Sequence, residues 1–121
     1  MSSQLDQGFG TYLNNNAAVL PAFSAVVIAA PNAVDLTPDG GAGVFGVTQE
    51  DVAIGGYGLV KLKSAPGTFM LATAVATVAG TAYSLNASGQ VIAIGSSPEN
   101  VNRVIAVNTA ASGVVAEFYF A

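Results

Sequence analysis

Glu50 and Asp51 stand side by side, the nearest this chain comes to a carboxylate pair that could share a proton or hold a hard cation. On a strand, neighbours point to opposite faces, so the two would not share one catalytic geometry there. In a loop they could touch a cation or an ion-pair partner, and a solvated loop is the simpler reading. Asp35-Leu36-Thr37-Pro38-Asp39 precedes Gly40-Gly41 but lacks the alternating acids and amides of a calcium loop. It reads as turn chemistry. Gly40-Gly41-Ala42-Gly43 and Gly55-Gly56-Tyr57-Gly58 are glycine-rich. Neither run continues into Lys-Ser/Thr or opens a helical pattern, so neither reads as a phosphate cradle.

The missing residue types exclude more. The chain has no histidine and no cysteine. That removes the commonest general base, any thiolate nucleophile and the soft metal ligands. No catalytic residue, cofactor or metal is expected, and the chain reads as a non-enzyme. An enzyme here would need a deep pocket uniting Asp35, Glu50 or Glu117. Three bases, Lys61, Lys63 and Arg103, stand against seven acids. So few cations neutralise few phosphates, which argues against a nucleic-acid partner and against docking on anionic lipid.

Charged residues make up 8% of the 121 positions, against about 25% in an ordinary soluble domain. Hydrophobic residues make up 52%, and mean hydropathy is +0.58. The apolar run from Ala17 to Ala30 is broken by Pro21 and followed by Pro31, short of the ~20 residues a spanning helix needs. No Lys or Arg occurs in the first twenty residues, so a secretory signal is not expected and assembly inside the cell is. A greasy, charge-poor chain of this kind is expected to hide its surface against copies of itself or a larger partner. Its length suits one domain with one modest core.

The elements that must position these residues read as β. Residues 1–22 show neither strand nor helix period and are expected to form an extended N-terminal arm, with Phe9, Tyr12 and Leu13 as its anchors on a neighbour. From Phe23, short runs rich in Val, Ile, Thr and aromatics alternate with Gly/Pro punctuation. They cover 23–30, 33–37, 43–49, 57–63, 68–73, 77–85, 90–95, 104–107 and 114–120. Pro38-Asp39-Gly40-Gly41 marks a turn, and Ser97-Pro98-Glu99 starts at most one helical turn. The expectation is an all-β chain: a single compact antiparallel β-barrel or sandwich of about eight short strands over 23–121, preceded by the arm.

Within that frame, Lys61 and Lys63 share one strand face and read as an edge or solvent face, or as partners for acids across an interface. Arg103 is the lone guanidinium, able to make a bidentate ion pair. Phe118 and Phe120 share a face and suit the core. Tyr119 takes the other face, and its half-polar ring suits an interface.

Three segments carry a resemblance. They are Phe45-Gly46-Val47-Thr48-Gln49-Glu50-Asp51-Val52-Ala53 with Gly55-Gly56-Tyr57-Gly58-Leu59-Val60-Lys61-Leu62, then Gly80 to Val91, then Val104 to Phe118. Their order and spacing resemble the capsid cement (decoration) proteins of tailed bacteriophages, over roughly Phe23 to Phe120. The acidic residue common after Gly80 and Gly113 in that family is Thr81 and Val114 here. The resemblance implies a small β-barrel on the outer surface of an assembled phage head, put together in the host cytoplasm. It implies the major capsid protein as partner, copies of itself as a homo-oligomer with a trimer favoured, and reinforcement of the shell without catalysis. Another virion component, a fibre head or a self-assembling shell protein, is the alternative.

Overall fold

The computed structural model describes residues 8–38, 41–94 and 103–120, and all of its regular structure is β. Ten strands run in chain order: β1 Phe9–Asn14, β2 Ala25–Ala30, β3 Ala33–Leu36, β4 Gly46–Thr48, β5 Tyr57–Leu62, β6 Phe69–Ala72, β7 Ala82–Leu85, β8 Val91–Ala93, β9 Val104–Ala106 and β10 Val115–Phe120. The first five close a barrel in the order β1-β3-β2-β4-β5. The last five form a sheet in the order β6-β10-β9-β7-β8. The expected helical turn after Ser97 and the Asp39-Gly40 half of the expected turn lie outside the described residues.

The strand at Phe9–Asn14 is the main difference from the reading of residues 1–22 as an arm. It pairs antiparallel with β5, from Phe9↔Lys61 to Leu13↔Tyr57, and parallel with β3 at Leu13↔Ala33. It is the staff that closes the barrel. Its alternation is hidden because the inward positions are Gly10, Tyr12 and Asn14 rather than aliphatics. Asn14 behaves as a polar plug. Its Nδ2 donates to the carbonyls of Ala18 at 2.9 Å and Val52 at 3.0 Å, and its Oδ1 accepts from Asn16 N at 2.7 Å. Asn14→Ala removes all three bonds from the interior of the strand end, although Val52 O keeps the Leu20 N–H, and is expected to cost about 1–3 kcal/mol, read as a lower urea midpoint at unchanged slope.

Two cores form where one was expected. Inside the barrel lie Leu20, Val26, Val34, Val52 and Val60, with Tyr12, Leu36 and Phe45 packed against them. Five strands enclose little volume, so short branched side chains fill it. At Gly46 and Gly58 even a methyl would overlap Lys61 O and the Val52 side chain respectively. Leu20 and Val52 exchange backbone hydrogen bonds of 3.0 and 2.8 Å across the interior. The larger core joins the second sheet to the barrel wall. Phe69, Leu71, Tyr83, Leu85, Val91, Val104 and Phe118 meet Ala25, Val44, Val47 and Ala65 there.

Backbone contacts bind the halves as one body. Phe23 sits at φ 61°, an uncommon conformation for an aromatic residue, and its carbonyl accepts from Ala72 N at 2.9 Å. Ala25 N donates to Gly89 O at 3.0 Å. Those contacts also cover sheet edges. The barrel covers β6 at Ala72, and Ala74 N donates to Val91 O on β8 at 2.9 Å, beside a parallel bridge between Thr73 and Val91. Covered edges do not template foreign strands.

Candidate interaction surface

The isolated carboxylates are used up locally. Glu50 Oε2 accepts from Leu59 N at 2.9 Å, and Asp51 Oδ1 accepts from Ala22 N at 2.8 Å. Asp35 Oδ1 accepts from Asn16 Nδ2 at 2.5 Å and from Leu36 N at 2.7 Å. These acids pin loops to strands. Among the described residues, no three Asp or Glu side chains gather into a group that could hold a metal.

Lys61 lies on β5, but Lys63 falls in the turn just past its end, so the two do not share a strand face as their spacing suggested. Nor is that strand an edge: it pairs with β1 on one side and β4 on the other. Neither side chain is fully exposed. The Lys61 ammonium lies 4.7 Å from the Phe69 ring centroid and 6.0 Å from that of Phe9, and it donates to Thr68 O at 2.5 Å. Thr68 Oγ1 in turn donates to Glu117 Oε2. Lys63 Nζ lies 5.5 Å from the Phe120 ring, which stands edge-on to Phe69 at 4.9 Å. Cations over aromatic faces are attracted by the ring quadrupole. The two lysines therefore fasten the barrel to the second sheet through Phe69 and Phe120, and Phe9, on barrel strand β1, flanks Lys61 in that fastening. Beside it an open groove of about 470 Å³ is lined by Phe45, Leu62, Lys63 and Ser64.

Tyr12 points into the barrel, edge-on to Phe45 at 5.1 Å. Leu13 is carried on the outside of β1, half-buried, opposite Tyr57. Thr11 faces Leu59 in the next outward pair. Tyr57 is 66% exposed and Ile54, in the preceding turn, 63%. Leu13, Tyr57 and Leu59 thus make one apolar face on the barrel. Sequence reasoning missed Tyr57 and Leu59 as surface residues. The register that puts Val60 inward puts both of them outward, and the alternation of β5 contains that signal.

A second apolar face covers the outside of the second sheet. Phe118 points inward, so Glu117 and Tyr119 point out. Glu117 stands between Met70 of β6 and Val107, whose N–H donates to Glu117 O at 2.9 Å. Tyr119 lies opposite Ile105, and Ile105 opposite Ala82. Arg103 is exposed just before β9 and falls on the same alternation as Ile105 and Val107. The seven expected contact residues therefore divide: Phe9, Lys61 and Lys63 in the fastening, Tyr12 in the barrel, Leu13 on one apolar face, Arg103 and Tyr119 on the other. No family model matches the chain, and no curated protein matches it.

Proposed function

We propose that this chain is a capsid cement protein of a tailed bacteriophage: a non-enzymatic module that binds the outer surface of an assembled head, between copies of the major capsid protein, and stabilises it. The observation that carries the reading is the exterior. Twelve large apolar side chains are exposed among the described residues of a molecule with 5658 Å² of surface and only ten formal charges. Scattered apolar residues are ordinary on a surface, but contiguous faces mark interaction sites. The resemblance at residues 45–62 and in the two later segments gives the class of partner.

The mechanism is additive burial. The face of Leu13, Tyr57 and Leu59 sits on a closed barrel, so it docks without folding cost. At ~25 cal/mol per Å², burial of ~1,000 Å² offsets association entropy, and the gain is repeated at every lattice position. Covered sheet edges keep the free copies from pairing strand to strand before they reach the shell.

The test uses the whole chain and heads from which decoration has been removed. Added chain is expected to saturate the heads and raise the temperature at which they release DNA. Tyr57→Lys and Leu59→Lys, both on exposed positions, are expected to lower occupancy at least ~10-fold while the melting temperature of the free chain is kept. Heads that take up none of the unmodified chain would refute the reading. Removal of residues 1–16 is no substitute for these variants, because it deletes β1 and opens the barrel.

A further inference from the structure

We infer that the outer face of β6, β10 and β9 pairs with the same face of a second copy of this chain, about a two-fold axis. The face is apolar across three strands, and Met70, Val107, Val115 and Tyr119 on it are each between 39% and 45% exposed. Its exposed apolar area is on the order of 500 Å², near the top of what single-chain proteins leave open. What selects a second copy as the occupant is the placement of charge. Among the described residues the face carries one anion, Glu117, opposite Val107 at one end of β9, and one cation, Arg103, at the other. Four residues of strand separate Arg103 from Val107, roughly 13 Å. A two-fold operator through the Ile105–Tyr119 pair turns the face over onto itself. It brings Arg103 over Glu117 of the partner subunit and the partner's Arg103 over Glu117, with Tyr119 and Ile105 packed between the two ion pairs and Met70 beside Glu117 at the rim. Self-complementarity of this kind is what an isologous contact demands. Glu117 retains acceptor capacity for a guanidinium, since the hydrogen bond from Thr68 occupies only one side of Oε2.

Two such faces bury about 1,000 Å² in all, at the small end of specific interfaces, so a dissociation constant on the order of 10 μM is expected. The inference stands apart from the shell-binding proposal, since it concerns the free chain. It expects a pair where the resemblance favours a trimer. The Leu13–Tyr57–Leu59 face lies on the barrel and stays open in the pair.

Sedimentation of the full chain across roughly 1–200 μM, bracketing that constant, is expected to show a monomer–dimer equilibrium. Tyr119→Lys is expected to weaken pairing at least ~30-fold, and Arg103→Glu about 10-fold, because it sets two acids against each other. The swap Arg103→Glu with Glu117→Lys is expected to restore pairing to within about threefold of the original. Should Glu117→Lys destabilise the fold through Thr68, the exposed positions Arg103 and Tyr119 carry the test alone, with circular dichroism confirming that both variants are folded. A chain that stays monomeric throughout, one that forms trimers, or pairing indifferent to Tyr119→Lys and Arg103→Glu would each overturn the inference.

Discussion

Gly89→Ala is expected to lower the stability of the chain by about 2–5 kcal/mol. Two costs add. Gly89 sits at φ +71°, in the left-handed region, where a side chain costs ~1–2 kcal/mol. An added Cβ would also stand 2.5 Å from Ala25 O and 2.7 Å from Ala25 N, both backbone atoms of β2 that cannot swing aside. That clash breaks the hydrogen bond from Ala25 N to Gly89 O, where the β7–β8 hairpin rests on the barrel. Overpacking against rigid neighbours adds a further ~1–3 kcal/mol. For a domain of this length the sum lowers Tm by roughly 6–25 °C. Gly113→Ala is the control, since its φ is +82° and nothing lies within 4 Å of the added atom. It is expected to show the dihedral cost alone. Equal melting of the two variants, followed by calorimetry, would mean that the hairpin contact does not hold the halves together.

Phe118→Ala is expected to cost a similar amount, about 3–5 kcal/mol, through a different cause. Phe118 is fully buried and heads the largest enclosed side chains. It lies on the middle strand of three, opposite Phe69 of β6 and Ala106 of β9. Removing the ring opens a void among strands fixed on both sides by ladders, so collapse cannot fill it. The neighbours on β10 set the scale. Phe120 is half-buried between Phe69 and Lys63, and truncation there is expected to cost less than half as much. Tyr119→Ala, on the outer face, is expected to leave the denaturation midpoint nearly unchanged. Chemical unfolding of the three variants side by side reads the alternation of the strand directly. A Phe118→Ala midpoint close to that of Tyr119→Ala would contradict the packing.

Most of the architecture was legible in the text of the chain, for reasons that individual residues make plain. Strands β2 to β10 carry Val, Ile, Thr and aromatics between turn residues, and in β5 and β10 the alternation of Val60 with Lys61 and of Phe118 with Tyr119 names the inward face. β1 was not legible. Gly10 gives it a position with no side chain, and Asn14 gives it a polar one, so the hydrophobic period is silent where the strand is most buried. The reason Asn14 is tolerated lies in carbonyls of Ala18 and Val52, one of them 38 positions away. Closure through a parallel pair between β1 and β3 is likewise a long-range fact. The reach of the lysines over Phe9, Phe69 and Phe120 was not legible, because those rings come from three other strands. Tyr57 and Leu59 escaped notice since a strand read as an edge gives no reason to ask which neighbours its outward residues have.

The pairing of β1 with β5 has a consequence during synthesis. Phe9 leaves the ribosome 52 residues ahead of Lys61, its partner in the ladder. At ordinary elongation rates of about 5–20 residues per second, β1 waits several seconds for its neighbour. The hairpin of β2 and β3 can form within that interval and offers β1 its parallel neighbour, so the nascent chain holds a half-built cylinder whose last stave, β5, must meet its first. The late step is then the pairing of β5 with β1, a high-contact-order event that sets a slow pace for folding. The outward Leu13 and Tyr57 meet only when it is complete, so the barrel's apolar face comes into being with the final closure and not before.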